Sequence, residues 1–186
     1  MRIGLISDTH IPGGAMEMPE EVARAFEGVK LILHSGNIFN SATLDWLERI
    51  APVKAAGSVD RDHQSWNDPR VAEKQIVEVE GHTIGVIHDL AVPGIGGPVY
   101  PGTIAAYYPA NASLSTDMEK IFDSKVSIVI FGHTHEAMAE EHNGVLLINP
   151  GSPTLPNQLR KLGNVMILEL TSGERGAKVV ALADFS

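Results

Sequence analysis

One arrangement recurs in the first sixty residues: a short apolar run, a polar loop and then a segment with helical spacing. The apolar runs Arg2–Ser7, Leu31–His34 and Val53–Ala56 each have about the length of a β-strand. The segments between them predict two helices, the first between Pro19 and Gly28 and the second capped by Ser41. Strands and helices in alternation indicate parallel strands joined by crossover helices. The pattern therefore predicts an α/β fold.

The rest of the chain adds strands, one further helix and a long irregular segment. Gln75–Val79 and Thr83–Ile87 flank a turn and predict a hairpin. Residues 91–113, rich in Gly, Pro and Tyr, predict a long loop, which is followed by a helix at Leu114–Asp123. The strands predicted after this helix are Val126–Phe131, Ala137–Glu141, Val145–Ile148, Val165–Leu170 and Ala177–Ala183. Because we find no repeat or linker, we expect residues 1–186 to form a single domain.

Composition excludes several classes of function. The 23 acidic residues outnumber the 14 basic ones, and a net charge of -9 disfavours binding to duplex nucleic acid. With no cysteine, the chain has no disulfide, no thiolate nucleophile and no zinc-thiolate site. Its apolar runs are far shorter than the roughly 20 residues of a membrane helix. We expect a soluble, cytoplasmic protein, and the sequence leaves open whether it forms a homo-oligomer.

Histidines and an aspartate follow the ends of several predicted strands. Asp8 and His10 follow the first strand, His88 follows the hairpin, and His133 and His135 follow a later apolar run. Strand ends on one side of an open α/β sheet meet in a crevice, so these side chains can converge. Imidazole and carboxylate ligands suit divalent Mn, Fe, Ni or Zn better than Mg. The pattern indicates a metal site.

A set of motifs in this order resembles a known family. The motifs are Asp8-Thr9-His10, Gly36-Asn37, Gly57-Ser58-Val59-Asp60, His88, Gly132-His133-Thr134-His135 and Asn149-Pro150-Gly151-Ser152. Together they resemble the calcineurin-like metallophosphoesterase superfamily, most closely its small bacterial and archaeal phosphodiesterase branch. The resemblance covers nearly the whole chain. It implies two facing mixed β-sheets flanked by helices, with motif loops that bind one or two divalent metal ions.

The resemblance also implies which side chains bind metal. Seven positions correspond to the ligand positions of the family: Asp8, His10 and His135 for one ion, His88 and His133 for the other, Asn37 between the two ions, and Ser58 beside the second. The family has a bridging Asp where this chain has Asn37, and an Asn where it has Ser58. A neutral amide compensates less of the repulsion between two dications, so we expect a weakened second site. Asp60 or Asp89 is an alternative source of the missing carboxylate.

The activity implied by the resemblance is the hydrolysis of phosphodiesters or phosphomonoesters of a small molecule through a metal-activated hydroxide. No general acid stands out, and His63 and Asp89 are the only candidates. The loop from Ala91 to Ser113 is expected at the crevice mouth, where it would limit substrate size. The histidines outside the motifs, namely His34, His63, His82 and His142, are expected to be structural or exposed.

Two alternatives stay open. One is a non-catalytic binding or scaffold protein on the same fold, similar to the retromer subunit that resembles this family, and Asn37 and Ser58 favour it. The retained histidine motifs oppose it, because a scaffold has no physical need for clustered imidazoles. The other alternative is an enzyme that uses a single metal ion.

Overall fold

The computed structural model describes residues 1–186 and contains eleven β-strands, four α-helices and two short 3-10 helices. The strands are β1 (Arg2–Ile6), β2 (Leu31–His34), β3 (Val53–Ala56), β4 (Val71–Ala72), β5 (Lys74–Val79), β6 (His82–Ile87), β7 (Ile128–Ile130), β8 (Met138–His142), β9 (Val145–Asn149), β10 (Asn164–Leu170) and β11 (Arg175–Ala181). The α-helices are α1 (Glu20–Ala25), α2 (Ser41–Glu48), α3 (Thr103–Tyr107) and α4 (Leu114–Phe122), and the 3-10 helices are Pro156–Gln158 and Leu182–Phe185.

The strands form two mixed sheets. The first sheet has the order β11-β10-β1-β2-β3-β4, and the second has the order β5-β6-β7-β9-β8. In the first sheet β1, β2 and β3 are parallel, as the alternation of strands and helices predicts. In the second sheet β6, β7 and β9 are parallel, while β5 and β6 form the predicted antiparallel hairpin.

Apolar side chains hold four layers together. Leu5 of β1 and Ile130 of β7 belong to one buried cluster between the two sheets. Leu44 of α2 packs in a second cluster on the outer face of the first sheet, and Met118 of α4 packs in a third on the outer face of the second. The expected fold of two facing mixed sheets flanked by helices is thereby confirmed. Since β1 is covered on both faces, its sequence is a continuous apolar run rather than an alternating one.

Local details differ from the sequence predictions. Asn40 caps α2 by accepting the N–H of Ala42 at 3.0 Å, so the prediction of Ser41 as the cap is wrong by one residue. The segment 91–113 is not wholly irregular, because it contains α3. This short helix forms where Ile104 is buried against the second sheet, a tertiary effect that local Gly and Pro content does not reveal.

None of the helices has the length and the hydrophobicity that crossing a membrane requires.

Candidate metal centre

The loops that carry the predicted ligands follow the carboxyl ends of the parallel strands and meet on one side of the molecule. Two glycines allow this close approach. A Cβ atom at Gly132 would lie 2.1 Å from Oγ of Ser7, and one at Gly36 would lie 2.5 Å from the His88 ring. Any larger residue at either position would push the loops apart.

Three of the predicted ligands form a first group: Asp8, His10 and His135. His135 Nε2 lies 3.3 Å and His10 Nε2 lies 3.8 Å from the same oxygen, Oδ1 of Asp8. The two imidazole nitrogens are 3.2 Å apart. Asp8 and His135 are buried and His10 borders the crevice. One carboxylate oxygen and two ring nitrogens at these separations could hold one ion.

The Asp8 carboxylate is fixed by hydrogen bonds as well as by burial. It accepts from Ser7 Oγ at 2.7 Å, from Asn37 Nδ2 at 2.9 Å and from the backbone N–H of His133 at 3.0 Å. Burial alone would raise the pKa of Asp8, but hydrogen bonds with His10 and His135 outweigh it and hold that pKa well below its usual range. Asp8 is therefore an anion at neutral pH.

Backbone carbonyls set the tautomer of two histidines. His135 donates its Nδ1–H to the carbonyl of Leu155 at 2.9 Å, and His88 donates its Nδ1–H to that of Ser35 at 2.7 Å. In its neutral form each ring would therefore present the Nε2 lone pair to a metal ion, as a metal ligand does.

The Nε2 atom of His88 has no hydrogen-bond partner although it is buried. It lies 3.9 Å from Asp8 Oδ1. Buried polar atoms are normally paired, and an unpaired one costs free energy. A divalent cation would satisfy this lone pair, so the residues present fit a metal ion.

A second group of potential ligands consists of His88, Asp89 and His133. His133 Nδ1 lies 3.1 Å from Asp89 Oδ1, and the other carboxylate oxygen of Asp89 pairs with Arg61. The side chains of Asp89 and His133 are 50% and 40% exposed. Two of its three side chains are therefore open to solvent, and its carboxylate already has two partners.

Asn37 and Ser58, the two positions that depart from the family pattern, are placed differently. Asn37 lines the crevice and directs its amide Nδ2 at Asp8. The hydroxyl of Ser58 is engaged locally, because it accepts from the backbone N–H of Arg61 at 3.3 Å. Of the two alternative carboxylates, Asp89 lies in the second group, whereas Asp60 lies on the crevice wall outside both groups.

The first group opens onto a crevice of about 620 Å³. Its wall includes His63, which is exposed, together with Arg61 and the aromatic ring of Phe39. The Phe39 ring stacks edge-on against His10 at a centroid distance of 4.9 Å. The crevice is large enough for a small phosphoester.

Backbone strain is concentrated at this site. Five of the predicted ligands have a positive φ, with values of 52° at Asp8, 46° at His10, 55° at Asn37, 74° at His133 and 60° at His135. Residues other than glycine adopt this region rarely and at a cost. The surrounding hydrogen bonds hold them there: Ser152 Oγ donates to the Asp8 carbonyl at 2.7 Å, and Asn149 Nδ2 donates to the Gly132 carbonyl at 2.8 Å.

Two residues that organise the site were not found from the sequence. Asp62 is fully buried and accepts the N–H groups of Ile38, at 2.6 Å, and Ser58, at 3.1 Å, so it ties the loop after β2 to the loop after β3. Arg61 pairs with Asp89. The only signal for Asp62 is a second carboxylate two residues after Asp60, and the sequence does not show which of the two is buried.

The histidines outside the motifs have the structural or exposed roles expected of them. His34 is buried, accepts the N–H of Gly36 on Nδ1, and has a pKa lowered to about 4 because burial disfavours its charged form. His82 bonds the carbonyl of Thr171, and His142 pairs with Glu140.

Comparison with known proteins gives consistent matches. The model of the calcineurin-like phosphoesterase superfamily domain matches residues 1–173. A probable metallophosphoesterase of Methanothermobacter thermautotrophicus is 36% identical over 182 residues, which cover 97% of this chain and 92% of that protein.

Two solved structures share the fold. Vps29 of Entamoeba histolytica complexed with zinc superposes with a TM-score of 0.63 at 20% identity, with 98% of this chain and 99% of that chain covered. A novel archaeal phosphodiesterase gives a TM-score of 0.62 at 21% identity, with 97% and 100% covered.

Proposed function

The chain belongs to the calcineurin-like phosphoesterase superfamily, and from this premise we propose that it is a metal-dependent phosphoesterase acting on phosphodiesters or phosphomonoesters of small molecules. One observation carries the proposal. The Nε2 atoms of His10, His88 and His135 all point to one oxygen of Asp8, and that of His88 is buried without a partner. Such a cluster is costly without a cation and well suited to one.

Each ligand group is proposed to bind one metal ion. Asp8, His10 and His135 would hold one ion, while His88, His133 and Asp89 would hold the other. When bound, the divalent ions supply positive charge to the phosphoryl oxygens and lower the pKa of a water molecule toward neutrality. The imidazole ligands favour Mn, Fe, Ni or Zn as the bound ion and do not distinguish among these four metals.

The side chains around the ligands position the substrate. Arg61 lies on the crevice wall, where its guanidinium can donate hydrogen bonds to a phosphoryl oxygen. Hydrolysis joins the oxygen of water to phosphorus and breaks the ester P–O bond, whose oxygen keeps the electron pair and takes a proton. His63 lies on the same wall and is the candidate donor of that proton.

A scaffold function is the second candidate. Asn37 favours it, because its neutral amide occupies an oxygen of Asp8 that a bridging carboxylate would leave to the metals. The unpaired Nε2 of His88 opposes it, since a scaffold gains nothing from a buried atom without a partner.

The experiment that separates these functions is metal removal and reconstitution. The protein is treated with chelator, dialysed, and assayed with bis(4-nitrophenyl) phosphate and 4-nitrophenyl phosphate with and without Mn²⁺ or Ni²⁺. We expect hydrolysis only after metal is restored. If no ester is hydrolysed at saturating metal although metal binds, the enzyme proposal is wrong and the scaffold proposal gains.

A further inference from the structure

A second, smaller cavity adjoins the crevice, and His133 forms part of both walls. Its volume is about 220 Å³. Asp89 and His133 line it, and the remaining side chains are mainly apolar, including Leu90, Ile95, Val99 and Phe131. The cavity is therefore bounded by two members of the second ligand group and by a mainly apolar wall.

The polar side chains around this cavity are already hydrogen-bonded. Thr134 Oγ1 accepts from Asn149 Nδ2 at 3.0 Å, and the carboxylate of Asp89 is shared between Arg61 and His133. A sugar or polyol placed here would bury hydroxyl groups without partners, which costs free energy. An apolar group would instead lose only its contact with water.

The volume limits the size of that apolar group. A dry apolar cavity of about 150 Å³ is sufficient to bind benzene. The cavity beside His133, at about 220 Å³, therefore has room for a single ring with a small substituent.

We propose that this cavity binds the ester group of the substrate, and that the preferred substrate is a phosphoester of an alcohol or phenol with a single aromatic ring. The inference rests on the proposed phosphoesterase function. Because Asp89 and His133 line the cavity and His133 also lines the crevice, a ring bound here would lie beside the second ligand group, within reach of an ester oxygen in the crevice. The loop that begins at Ala91 then selects the chemistry of the ester group as well as its size.

Two neighbouring glycines provide a matched pair of variants. A Cβ added at Gly96 or Gly97 meets no atom within 4 Å, and neither glycine has a left-handed backbone. Only Gly97 lines the cavity. Gly97→Leu should fill the cavity, whereas Gly96→Leu adds the same side chain outside it. Ile95→Ala is a third variant that removes part of the apolar wall without filling the space.

The first measurement needs neither metal nor turnover. Phenol is titrated into protein kept in chelator, and methyl resonances are followed by NMR. We expect phenol to shift the methyl signals of Ile95 and Val99 in the wild type and in Gly96→Leu, but not in Gly97→Leu. In Ile95→Ala, phenol binding should weaken several-fold. Unshifted methyl signals in the wild type at saturating phenol would overturn the proposal.

The second measurement uses the metal-loaded enzyme. We expect Gly97→Leu to raise the KM for 4-nitrophenyl phosphate about tenfold, equivalent to about 1.4 kcal/mol, with inhibition by inorganic phosphate unchanged. Gly96→Leu should match the wild type in both. An unchanged KM in Gly97→Leu would overturn the ring site and leave the phosphoesterase proposal intact. Wild-type protein that binds phenol but hydrolyses no ester would overturn the phosphoesterase proposal and support the ring site alone.

Discussion

The two ligand groups contain the same residue types, one aspartate and two histidines each, but their surroundings differ. Asp8 is fully buried and receives hydrogen bonds from three neighbouring groups, whereas Asp89 is half exposed and paired with Arg61. The first carboxylate is therefore held in place by uncharged donors, whereas the second must give up its ion pair with Arg61 to bind an ion. Residue type shows which side chains could bind a metal ion, but burial and competing partners determine how tightly they bind it.

The largest effect is expected from removing a ligand of the first group. His135→Ala should abolish binding of the tight ion and reduce hydrolysis at least about a hundredfold, since even residues that only support a ligand cost 10- to 100-fold. Metal content and the rate with bis(4-nitrophenyl) phosphate measure both. His82→Ala, at a histidine that bonds the carbonyl of Thr171 away from both groups, is the control and should behave like the wild type. Activity that survives in His135→Ala would place the reaction elsewhere.

Asn37→Asp is expected to raise the metal affinity of the second group, so that it comes closer to the affinity of the first group. A carboxylate between two dications adds charge where the dielectric is low, and a gain of about tenfold in rate corresponds to about 1.4 kcal/mol of barrier. Without metal the same change faces Asp8 with a second carboxylate, so the melting temperature in chelator should fall. Thermal unfolding with and without Mn²⁺ tests both effects. If stoichiometry and rate stay the same, Asp89 already supplies the carboxylate or position 37 does not face the ions.

A smaller effect is expected from Arg61→Gln. Removing the guanidinium frees Asp89 for an ion, so the second ion should bind a few-fold more tightly. The gain is small because the ion pair that is lost is partly exposed. Calorimetric titration with Mn²⁺ measures it. Arg160→Gln, at an exposed arginine, is the matched control. Weaker binding of the second ion in Arg61→Gln would mean that Arg61 holds Asp89 in place for the ion and does not compete with it.

The smallest effect concerns His34, which bonds the N–H of Gly36 between the two groups. Its pKa falls to about 4 in the fold, so the unfolded chain binds more protons and stability is lost as pH falls from about 6.5 toward 4. Urea unfolding in chelator should show a flatter pH dependence for His34→Asn than for the wild type. If the two proteins show equal pH dependence, the lowered pKa of His34 is not the cause of the stability loss.

Much of the fold follows from the sequence, because it depends on local patterns. The apolar runs predict the parallel strands β1, β2 and β3, and the polar residues after them predict the position of the crevice. The existence of α3 was missed because it depends on the burial of Ile104 against the second sheet. The cap at Asn40 is a local hydrogen bond, and it was missed because Asn40 and Ser41 are adjacent residues of types that both cap helices.

The site is predictable to a more limited degree. The sequence names Asp8, His10 and His135, and the fold brings these three together. It does not show that Asp62 is buried or that Asp89 is paired with Arg61, because burial and pairing between loops depend on distant parts of the chain. Both facts affect the relative metal affinity of the two groups. Residue types alone do not determine that affinity.

The central claim is that the first group binds an ion more tightly than the second. It is tested most directly by crystals of protein with one equivalent of Mn²⁺ and then with a large excess, with anomalous scattering used to locate the metal. We expect one equivalent to give a single peak at Asp8, His10 and His135, and the excess to add a peak at His88, Asp89 and His133. Equal peaks at both groups with one equivalent of metal, or a first peak at the second group, would contradict the claim.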